Sequence, residues 1–141
     1  MPRTAAIDLV ARYYSAFNAG DREAMLACLS DSIAHDINQG SRQMGKPAFG
    51  AFLAHMDRCY AEQLTDMTIM AAVDGRRAAA EFIVHGTYLA TDEGLPPATG
   101  QSYVLPAWSF FDLADGAITR ITVYYNLADW MAQVAPAASG S

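Results

Sequence analysis

Positive charge is scarce in this chain: nine Lys and Arg stand against fifteen Asp and Glu in 141 residues, a formal charge of −6 with the three histidines neutral. No cluster of Lys and Arg occurs, which argues against nucleic acid and anionic membrane as partners, because phosphate binding depends on grouped cations. There are only two cysteines. Cys28 and Cys59 both fall in predicted helices without CxxC spacing, so they are expected to be reduced packing residues, not a disulfide or a metal pair. His35, His55 and His85 lie on separate elements with no HxH or HExxH spacing, so no metal is expected. A glycine-rich phosphate loop and a nucleophile elbow are absent too, and no cofactor is expected. No apolar run approaches the roughly twenty residues of a membrane span, and no basic segment leads into a hydrophobic one near residue 1. The expectation is a cytoplasmic protein that contacts no membrane.

Apolar side chains are plentiful. At 52% hydrophobic and 17% charged residues, the chain has enough apolar surface for one large core plus either an apolar pocket or a buried subunit interface. One domain over residues 1–134 accounts for the length, followed by a small, polar tail at 135–141 that is expected to be disordered.

Ile7, Val10, Tyr14 and Phe17 share one helical face over Thr4–Asn18, with Tyr13 beside the stripe. Gly20 suits the left-handed position after that helix. Asp21 caps a second helix whose buried side is Ala24, Met25 and Leu29. A short strand over Ser32–Asn38 and a loop over Gln39–Lys46 come next. Pro47 then opens a third helix running to about Ala61, with Phe49, Phe52, Leu53, Met56 and Tyr60 as a broad apolar stripe. His55 falls off its centre. From Leu64 the pattern becomes strands: Leu64–Val73, the Asp74-Gly75 turn, then Arg77–Thr91. The Gly- and Pro-rich loop Asp92–Gly100 is long enough to overhang a cavity mouth, although a plain hairpin connection is the simpler reading. Ser102–Leu113 is a further strand in which Pro106 implies an edge, a bulge or a break in the ladder. After Asp115-Gly116, Ala117–Asn126 closes the sheet, and a short helix over Ala128–Val134 follows. Helices segregated to one face of a mostly antiparallel sheet define an α+β domain. A strongly curved sheet closed by three helices is a cone with a pocket inside.

The stretch Asp31–Gly45 holds the best acid–base candidate, Asp36, which shares a strand face with Asn38. His35 lies between two isoleucines, where a histidine more often packs than reacts. The competing reading of Asp36 is a strand-end carboxylate satisfied by turn N–H groups, and that of Tyr13 is a packed core ring. Trp108, Phe110, Phe111, Tyr124, Tyr125 and Trp130 make the C-terminal half aromatic-rich, for core packing, a dimer face or a pocket lining.

These segments together resemble the NTF2-like superfamily, and within it the ketosteroid isomerase and SnoaL-like polyketide cyclase branches. ARYYSAFNAGD is similar to the isomerase segment that carries a tyrosine after Ala-Arg, and DSIAHD to the isomerase's acidic strand end. The resemblance implies an NTF2-like cone, a curved, mostly antiparallel sheet wrapped by three helices of the N-terminal half. It further implies that Tyr13 donates a hydrogen bond to a substrate oxygen and that Asp36 shuttles a proton. Two positions depart from the pattern. Ala107 stands where the isomerases keep a protonated aspartic acid, and Asn126, with Gln133 downstream, stands where the cyclases keep a catalytic aspartate. The implied activity is cofactor-independent isomerase or cyclase chemistry on a hydrophobic, ring-containing carbonyl compound. Its alternative is a non-catalytic small-molecule-binding or dimerisation module. His35, Asn38, Phe52, Met56, Tyr103, Ser109, Tyr125 and Asn126 are the candidates to contact the small molecule, and a homodimer is the implied assembly.

Overall fold

A computed structural model of the chain describes residues 1–37 and 40–136. Its elements run α1 (Arg3–Ala19), α2 (Arg22–Ala27), β1 (Leu29–Asp36), β2 (Arg42–Met44), α3 (Lys46–Cys59), β3 (Tyr60–Ala71), β4 (Arg77–Tyr88), β5 (Ser102–Ala114), β6 (Ala117–Tyr125) and α4 (Leu127–Val134). The six strands form one curved, open sheet in the order β2-β1-β6-β5-β4-β3. All neighbours are antiparallel except β1 and β6, which run parallel. The α+β assignment therefore stands, with the expected short terminal helix, α4, beside the three of the N-terminal half. The predicted tail lies outside the described residues from 137 onward. Among the described residues, no helix is long and apolar enough to cross a membrane.

Three boundaries differ from expectation for local reasons. Leu29 opens β1 and is not part of the second helix. The loop after residue 39 contains β2, whose three residues are too few to show an alternating pattern. β3 begins at Tyr60, four residues before the expected start. Ala61, Glu62 and Gln63 are good helix formers with little strand propensity, so the sequence shows no strand before Leu64, and sheet pairing overrides that local preference.

Strict alternation on β4 and β5 sends every second side chain inward. Leu9, Val10, Tyr13 and Tyr14 of α1 pack on that inner face together with Phe82, Leu105 and Phe111. Burying each of the larger apolar side chains contributes about 1.5–3 kcal/mol. Tyr14 meets the rings of Phe82 and Phe111 at centroid distances of 5.1 and 5.9 Å, and its hydroxyl shares a buried 2.6 Å hydrogen bond with Ser109 Oγ. Pro106 pairs with Ile83 on β4, while the ladder to β6 begins only at Ala107. The proline thus sits just beyond the β6 ladder. Asn18, at the end of α1, donates from Nδ2 to the Leu64 carbonyl and accepts the Leu64 N–H on Oδ1, both at 2.9 Å, which ties α1 to the outermost strand, β3.

Candidate functional site

The concave face of the sheet, α1, α3 and α4 enclose a cavity of about 480 Å³. Its walls are mostly apolar, with Phe52, Met56 and Leu53 from α3 facing Leu105, Ile121 and Val123 from the sheet. The polar groups are few and clustered, the composition expected of a small-molecule site.

One cluster is built across three strands. Glu62 on β3 is in register with Gly86 on β4, which is in register with Tyr103 on β5. Because Gly86 has no side chain, the Tyr103 ring lies over it and reaches the second strand away. There its hydroxyl donates to Glu62 Oε2 at 2.5 Å. A Cβ on Gly86 would meet Tyr103 Cε2 and Cζ at 2.2 Å, so the glycine is required by that crossing. Burial pushes the Glu62 carboxyl above the usual carboxylate range, opposed by the Tyr103 hydrogen bond and the Arg22 charge. Tyr103 is raised in turn, first by burial and then by the Glu62 charge. Tyr125 also lines the cavity, and its phenol is raised by burial and then by Glu62 and Asp92, placing it in the field of both carboxyls.

A second cluster adjoins the first. Asp92, from the β4–β5 loop, accepts from Tyr60 on Oδ2 at 2.7 Å and contacts His55 Nε2 through Oδ1 at 2.8 Å. Its backbone N–H donates to the Tyr88 hydroxyl, which itself donates to the Pro96 carbonyl, so the loop is pinned from below. These hydrogen bonds hold the Asp92 carboxyl below its ordinary range despite its desolvation. Trp130 of α4 packs edge-on against Tyr60, Tyr88 and Tyr103 and closes this end of the cavity.

Asp36 and Tyr13 line the same cavity. Asp36 is engaged on both oxygens, however: Arg42 Nε donates to Oδ1 at 2.5 Å, and Arg42 Nη2 and Arg120 Nη1 donate to Oδ2 at 3.0 and 3.3 Å. The Arg42 hydrogen bond, with help from Arg120, holds its carboxyl below the ordinary range. Hydrogen bonds of this kind favour the ionised carboxylate and make it a weaker base than a free one, which weighs against a proton-shuttling role. Arg120 continues the network to Asp112. Tyr13 is buried, its phenol raised chiefly by desolvation, and its hydroxyl has no hydrogen-bond partner among the described residues.

His35 is buried between Phe49 and Phe52, at ring-centroid distances of 4.9 and 4.5 Å. Burial lowers its pKa despite the neighbouring Asp36, so the ring is neutral at pH 7. Its Nδ1 is enclosed without a partner among the described residues. Phe52, Met56, Tyr103 and Tyr125 line the cavity as well, and Asn38 lies outside the described residues. Two candidates are engaged by other partners. Ser109 is fully buried and committed to Tyr14, away from the lining. Asn126 is the N-cap of α4, its Oδ1 accepting from the Asp129 N–H at 3.0 Å. Gln133 bonds both backbone groups of Val104. Ala107 lines the cavity and offers no donor.

Glu62 escaped the sequence reading, and Tyr60, His55 and Asp92 were placed on their elements there without a site role. The cross-strand opposition of Asp36 and Arg42 escaped it too, although a hairpin between the strand and the following Gly-Ser-Arg would have signalled it.

The chain belongs to the SnoaL-like domain family, whose pattern matches residues 10–121. A structure described as a candidate polyketide cyclase from Pseudomonas putida KT2440 is 60% identical, covering 96% of this chain and 99% of that one, with a TM-score of 0.91. Another so described, from Silicibacter sp. TM1040, is also 60% identical, with coverages of 96% and 99% and a TM-score of 0.93. An NTF2-like protein from Burkholderia xenovorans LB400, at 16% identity, coverages of 96% and 99% and TM-score 0.75, shares the fold. Curated protein sequences give no match.

Proposed function

We propose that the protein is an isomerase or cyclase-like enzyme that moves a proton on a hydrophobic, ring-containing carbonyl compound. The observation that carries this reading is a carboxyl group inside an apolar cavity, Glu62, hydrogen-bonded to a phenol and pushed above its ordinary pKa. A shift in that direction is the one a carboxyl serving as a general acid–base catalyst near neutral pH requires. Enolate formation needs a base over the acidic carbon and a donor at the oxygen. Glu62 takes the first role in place of Asp36. Tyr125, which lines the same cavity and feels the Glu62 charge, takes the donor role, and Tyr13 is a second phenol available to a substrate oxygen. His35, Phe52 and Met56 line the enclosure.

The charge balance of the lining supports a neutral substrate. Asp36, Asp57, Glu62, Asp92 and Glu93 are acidic, whereas Arg22 is the one Lys or Arg lining the cavity among the described residues, and it is held by Asp57 at 2.5 Å. An anion would enter against that balance. The resemblance to the candidate polyketide cyclases from Pseudomonas and Silicibacter agrees with cyclase-type chemistry. A homodimer through the outer sheet face fits as well, because Val104, Trp108 and Phe110 are exposed there and Trp108 stacks on Tyr124 at 6.5 Å.

The absence of a polar group at Ala107 favours a second reading, a binding module without turnover. Cyclic enones and diketones in deuterated water, followed by loss of the α-proton signal in NMR spectra, separate the two. Glu62→Gln is expected to slow exchange about 10²–10⁴-fold, with Asp36→Asn far less affected. The reverse order would return the base to Asp36. Ligand binding with no exchange for any compound would support the binding module.

A further inference from the structure

We propose that His55, Cys59 and Asp92 form a site for one zinc-class divalent ion where the end of α3 meets the β4–β5 loop. His55 and Cys59 are four residues apart in the last turn of the helix and therefore project from one face. His55 Nε2 lies 4.0 Å from Cys59 Sγ and 2.8 Å from Asp92 Oδ1. All three donor atoms fall within 4.8 Å of one another. A tetrahedral zinc with bonds of about 2.0–2.3 Å places its ligand atoms roughly 3.3–3.6 Å apart. The observed set reaches that spacing with shifts of about an ångström. Thiolate, imidazole and carboxylate together suit zinc, whereas magnesium and calcium require oxygen ligands.

The surroundings resemble the support given to bound metals. Tyr60 donates to Asp92 Oδ2, orienting the carboxylate and leaving Oδ1 toward His55. The Leu89 N–H donates to the Cys59 carbonyl at 2.7 Å, so the end of the helix and the start of the loop are joined through backbone. Cys59 is buried, while His55 is partly exposed and gives an ion a way in.

Proton balance follows from the present hydrogen bonds. Arg58 Nη2 donates to His55 Nδ1 at 2.9 Å, which puts the ring proton on Nε2, facing Asp92. On metal binding that proton passes to Nδ1 by exchange with water, the exposed Arg58 swings away, and the Cys59 thiol loses its proton as sulfur bonds the ion. One proton is released per ion. Three protein donors and one water complete the shell, and the ion clasps the loop to the helix. This inference is independent of the acid–base reading of Glu62.

The test is a titration of chelator-stripped, full-length protein with cobalt(II), then with zinc(II). The expected result is a near-ultraviolet thiolate-to-cobalt absorption saturating at one equivalent, bleached by zinc and untouched by magnesium, with one proton released per zinc. The band should vanish in Cys59→Ser and persist in Cys28→Ser. Tyr60→Phe should weaken zinc binding about 10–100-fold. If Cys59→Ser fails to fold, His55→Gln, at a partly exposed position, serves in its place and should lose tight binding. No thiolate band, or a band that follows Cys28, would overturn the proposal.

Discussion

Replacing Gly86 with alanine tests how the cavity's carboxyl–phenol pair is built. The added Cβ would stand 2.2 Å from two ring carbons of Tyr103 and 2.4 Å from its hydroxyl oxygen. Ordinary contact begins near 3.4 Å, so the ring must retreat by about 1.2 Å. Trp130 packs against that ring at a centroid distance of 6.0 Å, and any retreat, into the cavity the ring lines, carries the phenol away from Glu62. Overpacking of this kind costs about 1–3 kcal/mol, and losing a hydrogen bond to a charged group costs about 1.5–3 kcal/mol. Exchanging Gly for Ala inside a strand returns roughly 0.5–1 kcal/mol. The net expectation is a destabilisation of about 2–5 kcal/mol, read from urea unfolding. The same change in a Tyr103→Ala background should be neutral or slightly stabilising, because the clash has gone. A double-mutant cycle reports the difference as a coupling energy. Equal costs of Gly86→Ala in both backgrounds would refute the claim that the ring crosses over the glycine.

Glu62 gives a pH signature. Its folded pKa lies above the unfolded value, so its contribution to stability is present below the unfolded pKa and lost as pH rises through the folded one. Glu62→Gln should therefore gain stability relative to wild type as pH rises above the ordinary carboxylate range, and a difference in urea midpoints that stays constant with pH would contradict it. Ser109→Ala leaves the buried Tyr14 hydroxyl unpaired and should cost about 1–3 kcal/mol, part of which Tyr14→Phe in the same chain restores. Asn126→Ala removes a helix cap worth about 0.5–2 kcal/mol in thermal unfolding and should leave ligand affinity unchanged. A loss of affinity at full stability would make Asn126 a ligand contact.

Periodicity made most of the fold readable. The α1 stripe, the two Asp-Gly turns and the alternation on β4 and β5 each appear within a window of a dozen residues. The site was legible only where its members lie inside such windows, as with Phe52 and Met56 on the α3 stripe. Glu62 was hidden because Ala61 to Gln63 have the propensity of helix formers, which displaced the expected start of β3 to Leu64 and left the strand carboxyl in an unassigned gap. The ion pairing of Asp36 with Arg120 spans 84 residues and depends on β1 lying parallel to β6, which no local pattern encodes. Gly86 could be recognised as a strand glycine, but the ring that crosses it comes from another strand.

The two hydrogen bonds from Asn18 to Leu64 bear on how the molecule behaves in a crowd. β3 is the last strand on its side of the sheet, and a bare margin of this kind invites a foreign polypeptide to add itself as the next strand. A carboxamide that fills one N–H and one C=O there acts as a plug. Two residues on, Asp66 at φ 54° and the adjoining register shift bend the same margin out of a straight template. Protection against edge pairing thus rests partly on a residue outside the cavity lining, and its loss is expected to show first as clumping during refolding.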